Sequence, residues 1–389
     1  MKVSYLTAPV DGVLTIGHNE EFEKHPNYLY VRPIVKDHQN FLAASASLHH
    51  YALKHPEITE IEMINHPEIL YYLVLNKHFL NITNFHYSDA DLSLNMKTKV
   101  GEFMVMEARA VIEKGLLSSK RRAFPREMKL SICMSTFNRT RELEEALVAL
   151  ANQSDKDFEL VVVNDGSNDE VAIKNHKNLK EKYFKNSTWK WIDQENAYLG
   201  AARNRGAKES SGSVLLFLDD DNIPELTMVE NYRRYYKETE SDVFVSNLNI
   251  FHDLKKSELV PWFTFPDADF SATLGNVISD AQCLIDKNLF LKIGGYTTDR
   301  NVGFEDWEFF LKLKLQGVRI HPIVETQYFY RIHKDDVSMR SQTKAMVNNQ
   351  RAVRVLQQHS PRMSRAYLFN IGLFNANNYM ASRLIESNP

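Results

Sequence analysis

From residue 129 onward, short runs of consecutive apolar residues recur, each followed by a polar cluster. Residues 129–134, 158–163 and 213–218 read as strands buried on both faces, because their apolar positions do not alternate. Helical patterns over 142–152 and 199–210 separate them, with a further strand expected at 189–193. The alternation continues with strands near 243–249 and 281–286 and a helix over 305–316. Short apolar strands alternating with helices predict an α/β fold: a Rossmann-like, mostly parallel sheet flanked by helices. Ligands in such sheets sit beyond the carboxyl ends of the strands, where the polar clusters fall here.

The flanks read differently. A strand is expected at 2–7, and Phe41, Leu42, Ser45, Leu48, Ala52 and Leu53 are spaced for one face of a helix. Residues 67–75 and 100–117 also look helical, so the first region is expected to be α/β or helical. Residues 118–125 are polar, basic and end in proline, as a linker does. Residues 337–389 predict a helical extension rich in Asn, Gln and Arg. The chain therefore divides into an accessory region 1–122, a catalytic region 123–336 and an extension 337–389.

Composition narrows the function. A net charge of −3 lacks the basic excess of a general nucleic-acid binder. Two distant cysteines, Cys133 and Cys283, form no metal spacing and suggest a reducing compartment. No apolar stretch reaches the ~18 residues of a membrane span, and the N-terminus lacks the pattern of a secretory signal, so a cytoplasmic protein is expected. Arg351, Arg354, Arg362 and Arg365, interleaved with Tyr367, Leu368, Phe369, Leu373 and Phe374, suit either peripheral contact with the inner face of a membrane or a packed or dimerising helix.

The densest chemistry is Asp219-Asp220-Asp221 after the strand at 213–218. Three adjacent carboxylates repel unless solvated or bound to a cation. In extended backbone Asp219 and Asp221 point to one side, and oxygen ligands at that spacing suit Mg²⁺ or Mn²⁺. Asp165, after a second strand, can accept hydrogen bonds from a base or ribose, with Gly166 expected at positive φ. Thr136, Phe137 and Asn138 follow the first strand and offer a hydroxyl and an aromatic face. Glu305 and Asp306 open a helix, where the dipole keeps a carboxylate ionised and able to take a proton from a hydroxyl. Trp307 can stack on a sugar face, and Gly294-Gly295 marks a tight turn or a close approach to a ligand. His333 is a candidate third metal ligand, whereas His49-His50 has no partner cluster.

In order, Thr136-Phe-Asn138, Val161-Val-Val-Asn-Asp-Gly-Ser167, Ala202-Arg-Asn-Arg-Gly206, Phe217-Leu-Asp-Asp-Asp-Asn222, Gly294-Gly-Tyr296 and Phe304-Glu-Asp-Trp-Glu308 resemble the family 2 glycosyltransferases of the GT-A fold. The resemblance implies an inverting, metal-dependent transfer from a UDP-sugar to a glycan or lipid-linked acceptor in surface polysaccharide synthesis. It implies that Thr136 and Asp165 hold the base and that Arg203 supports the donor site. Asp219 then contacts the ribose or sugar side, Asp221 ligates the metal, with His333 as a ligand in some members, and Asp306 is the base. The expected donor-binding set is thus Thr136, Asn138, Asp165, Arg203, Asp219 and Asp220, with Asp221 and His333 for the metal and Asp306 and Glu305 for catalysis. Asn164 and Ser135 depart from the aspartate and proline frequent in the family. Two other readings stay open: an inactive glycan-binding module of this fold, and a sugar nucleotidyltransferase. The loop at 135–140 has no glycine, which disfavours the latter. Oligomeric state is open too.

Overall fold

The computed structural model describes residues 1–5, 13–17, 20–31, 40–64, 66–76, 79–82, 84–87, 104–112, 127–185, 188–252, 255–267, 276–299 and 304–333. The expected extension 337–389, the expected linker 118–125 and Gly303 lie outside them. The chain forms two compact units: residues 1–123 with 261–263 and 267–271, and the remainder.

The first unit is α/β. Strands β1 (Lys2–Tyr5), β2 (Leu14–Gly17), β3 (Tyr28–Tyr30), β4 (Glu60–Met63) and β5 (Asn84–Tyr87) form one sheet in the order β3-β2-β1-β4-β5. All its pairings are parallel. The helix Asn40–Lys54 buries Phe41, Leu42, Ser45, Leu48 and Ala52, and leaves Leu53 half-buried. The expected helix at 67–75 is a 3₁₀ turn, Pro67–Leu70, running into the α-helical Tyr71–Leu75.

The second unit is built on a nine-stranded sheet. Its strands are β6 (Leu130–Thr136), β7 (Phe158–Asp165), β8 (Lys190–Gln194), β9 (Val214–Phe217), β10 (Ile223–Pro224), β11 (Val243–His252), β12 (Lys255–Trp262), β13 (Leu284–Asp286) and β14 (Ile320–Ile332). Their order is β10-β14-β11-β13-β9-β6-β7-β8, with β12 on β11. The block β9-β6-β7-β8 is parallel, and β13 runs against both its neighbours. Strand β6 is buried along its whole length, which explains its unbroken apolar run. The chain proceeds from β6 through β7 to β8, then returns to the other side of β6 as β9. That reversal makes a switch point between β6 and β9. Register aligns Thr136 with Asn164 and Asp165 with Gln194, so the polar clusters share one sheet edge.

The helix Leu199–Glu209 packs against this sheet through small residues. A Cβ on Gly200 would fall 1.9 Å from the Thr297 carbonyl oxygen. Gly200→Ala must push the 297 turn away, and overpacking of this kind costs about 1–3 kcal/mol. Thermal unfolding checks this, and an unchanged midpoint would contradict the tight packing.

Candidate active site

Each side chain at this edge is held by the turn that follows its strand. After β6, Asn138 adopts φ 54°. Its Oδ1 accepts from the Asn168 and Asp169 backbone N–H groups, and its own N–H donates to Ser167, so it ties the loop after β6 to the loop after β7. After β7, Gly166 has φ 72°, as its place in the turn predicts, and a Cβ there would meet Asn196 N at 2.6 Å. Asp165 is 4% exposed, and its Oδ1 accepts from Gln194 Nε2 at 2.7 Å and Ala197 N at 2.8 Å. Thr136 lies at the carboxyl end of β6, buried.

After β9 the acidic tract is a turn rather than the extended backbone expected. Asn222 N donates to Asp219 O at 3.3 Å and the chain bends at Asp220 and Asp221. The bend sends Asp219 and Asp221 to different partners. Asp219 Oδ1 meets Arg203 Nη2 at 2.6 Å. Asp221 Oδ2 meets Arg139 Nη2 at 2.9 Å and His333 Nε2 at 2.8 Å. Asp220 lies 3.7 Å from Arg139 Nε. The cations that make this carboxylate cluster tolerable are arginines of the chain itself.

Arg203, on the helix Leu199–Glu209, is 3% exposed and bridges two acids, with Nη1 2.8 Å from Glu305 Oε1. Its guanidinium lies 5.1 Å from the centre of the Tyr296 ring. The helix Glu305–Leu315 begins after Phe304, whose φ is 62°. Asp306 Oδ2 accepts from Asn276 Nδ2 at 3.0 Å and Oδ1 from Trp307 N at 2.7 Å. Trp307 is 5% exposed with its ring edge-on to Phe304, so it belongs to the core rather than to a sugar-stacking surface. Its helix buries Phe309, Phe310, Leu311 and Leu313 as well. Gly294 and Gly295 have φ 82° and 62°, and a Cβ on Gly295 would strike Asn204 Oδ1 at 2.5 Å. Their conformation serves a turn packed on the 199–209 helix.

Burial sets the protonation of the cluster. It raises Asp219, with Arg203 opposing and Asp221 and Glu305 adding. It pushes Asp220 up to about 8, against the Arg139 charge. Burial acts on Asp221 too, but the His333 hydrogen bond and the Arg139 charge outweigh it and keep that carboxyl below the usual range. Asp306 is pushed up to about 7 by burial and by neighbouring Glu305.

Four residues here escaped the sequence reading. Arg139 lies in the loop at 135–140, where no spacing or pattern marks it. Arg331, two residues before His333, has a fully buried side chain that donates from Nε to the Asp221 carbonyl oxygen at 2.9 Å and pairs with Glu145. Asn276 holds Asp306, and no periodicity or motif marks it. Asp280 accepts from Tyr328 and from Gln282 N, and burial and Asp219 push it up to about 6.

Asp221 and His333 together offer one carboxylate oxygen and one imidazole nitrogen. Among the described residues no group of three or more His, Cys, Asp or Glu forms a metal cage. Two protein ligands fit an ion whose other positions go to phosphate oxygens and water, the usual arrangement for Mg²⁺ at nucleotide sites. No helix of the described residues is long and apolar enough to cross a membrane.

Residues 131–282 match the sequence model of the family described as glycosyl transferase family 2. An uncharacterized glycosyltransferase of Haemophilus influenzae is 29% identical over 242 residues, 59% of this chain and 76% of that protein. A cholesterol galactosyltransferase of Borreliella burgdorferi is 28% identical over 52% of this chain and 59% of its own length. A poly(ribitol-phosphate) β-N-acetylglucosaminyltransferase, TarP of Staphylococcus aureus, is 29% identical over 31% of this chain and 37% of its own. Among solved structures, S. aureus TarS 1–349 in complex with UDP-GlcNAc superposes with a TM-score of 0.50 at 21% identity, over 65% of this chain and 73% of that one. That likeness is one of fold, the GT-A glycosyltransferase fold.

Proposed function

We propose, from the membership of residues 131–282 in glycosyl transferase family 2, that the chain moves a sugar from a UDP-sugar to a hydroxyl of a glycan or lipid-linked acceptor, inverting the anomeric centre with a divalent ion bound. The observation that carries the reading is Arg203, which gathers Asp219 of the acidic turn and Glu305, next to Asp306, onto one guanidinium. The donor end and the base end of the site are thereby one structure. Relatives named for N-acetylglucosaminyl, galactosyl and glucosyl transfer, and a fold neighbour crystallised with UDP-GlcNAc, support a UDP-hexose donor. Relatives named for poly(ribitol-phosphate) and for an undecaprenol-linked glycan support the acceptor class.

In this reading Thr136 and Asp165 line the base pocket at the ends of β6 and β7. Asp219 faces the ribose or sugar side. Asp221 and His333 hold the ion. When bound, Mn²⁺ or Mg²⁺ supplies Lewis-acid neutralisation of the charge that develops on the departing diphosphate. With that charge offset, the protein needs no general acid. Asp306 takes the proton of the acceptor hydroxyl as it attacks opposite the leaving group, and one displacement inverts the centre. Glu305 is tied to Arg203 and sets the field around Asp306 rather than moving a proton. Asn276 orients the Asp306 carboxylate. A panel of UDP-hexoses incubated with the full chain and Mn²⁺ is expected to show UDP release from at least one donor, suppressed by EDTA. Glycan binding with no UDP release from any donor would favour the inactive binding module.

A further inference from the structure

The bond between Arg139 and Asp221 bears on how this site is loaded. Asp221 Oδ2 accepts from Arg139 Nη2 and His333 Nε2, both within 2.9 Å. An ion on that oxygen can keep His333 as a co-ligand, because a neutral imidazole offers a lone pair. It cannot keep Arg139, whose guanidinium stays charged and has no lone pair to give. An ion on Asp221 therefore weakens the Arg139 pair, because it places a second cation beside the guanidinium.

The surroundings allow that movement for this arginine and not for the other two. Arg203 and Arg331 have side chains 3% and 0% exposed, each anchored at two or more points. The Arg139 side chain is 25% exposed, with one close bond, to Asp221, and a looser pair at 3.7 Å to Asp220. Its backbone is pinned on both sides, by the Asn138 bonds to the loop after β7 and by His176 Nε2 donating to the Arg139 carbonyl oxygen at 2.8 Å. The motion available is a swing of the guanidinium alone, rooted at the mouth of the switch point.

We infer that Arg139 closes the metal-binding carboxylate with an ion pair and passes to the diphosphate of the incoming nucleotide, so that metal and nucleoside diphosphate bind as a unit. The inference rests on the assignment of Asp221 as a metal ligand. A divalent ion entering alone weakens the Arg139 pair and sets that positive charge beside a second cation with no new anion to offset it. An ion entering with a diphosphate brings oxygens that a guanidinium holds in a two-pronged hydrogen bond, so the displaced cation gains a new partner. The result is a positive coupling between metal and nucleotide, and by linkage each tightens the other equally.

Calorimetric titration of the full chain with MnCl₂, without and with saturating UDP, tests this on wild type, Arg139→Gln and Asp221→Asn. Wild type is expected to bind manganese far more tightly with UDP present. Arg139→Gln is expected to bind manganese without UDP about tenfold more tightly than wild type, and to bind UDP with manganese about tenfold more weakly, the scale of losing one charge-assisted contact. UDP-free manganese affinity in Arg139→Gln equal to or weaker than wild type overturns the inference. Equal wild-type affinities with and without UDP overturn it as well, with no variant needed. Retention of wild-type manganese binding by Asp221→Asn, with UDP present, removes the metal assignment instead.

Discussion

Replacing Asp306 by asparagine is expected to lower the rate of sugar transfer by about 10²–10⁴, the range that one positioned general base contributes. The amide is nearly the same shape as the carboxylate but cannot take a proton. Its oxygen can still accept from Asn276 Nδ2 or from Trp307 N, the two donors that hold Asp306. The helix start should therefore stay in place. Asp306 shares no hydrogen bond with Arg139, Asp221 or His333 among the described contacts, so UDP affinity measured by calorimetry should change little. Transfer at the wild-type rate in Asp306→Asn would remove it as the base.

The pH dependence of the wild-type enzyme follows from the same residue. Burial and Glu305 push Asp306 up to about 7, and only its ionised form can act as base. Transfer should rise with pH through about 7 and level off above it. For stability the sign is opposite. A carboxyl raised in the folded state binds protons there that the unfolded chain, with its ordinary carboxyl near 4, has lost. Its contribution to stability therefore falls as pH rises from about 4 to about 7. Glu305 and Asp280 act on this group as negative charges that raise it, and Arg203 as the opposing cation.

The parts of this site legible in the amino-acid sequence were those written into short contiguous segments. Strands β6, β7 and β9 are buried on both faces, so each appears as an unbroken apolar run, and whatever follows must lie at the sheet edge. The acidic tract and Asp165 were visible for that reason. The turn at Asp220–Asp221 was not, because its shape is set by distant groups: Arg139 and His333 on the Asp221 side chain, and Arg331 on its carbonyl oxygen. Trp307, a candidate for stacking on a sugar, is buried instead, on a helix that also buries Phe309, Phe310, Leu311 and Leu313. The first unit stayed ambiguous because its strands are three or four residues long, too short to show an alternating pattern. Asn276 and Asp280 sit in irregular backbone, where residue type alone says nothing about what a side chain will face.

The second large effect is expected from Arg203. Its side chain is 3% exposed and neutralises Asp219 and Glu305, whose side chains are 27% and 13% exposed. Arg203→Ala leaves two largely buried carboxylates facing each other with no counter-charge, and breaking a buried pair this way costs about 3–5 kcal/mol. Burial already raises Asp219 with Arg203 present, and without that cation Asp219 should retain its proton further into the neutral range. Stability gained by protonation is present at low pH and lost as pH rises, so the destabilisation should be larger at pH 8 than at pH 5.5. Chemical denaturation at both pH values reads this difference directly. Arg203→Lys supplies the charge but not the fork, and can reach one acid at a time. It should recover part of the stability and less of the transfer rate, because a lysine on either Asp219 or Glu305 no longer holds the acidic turn and the base-bearing helix in one geometry. Equal stability of Arg203→Ala and wild type at pH 8 would mean that the two acids are solvated rather than bridged.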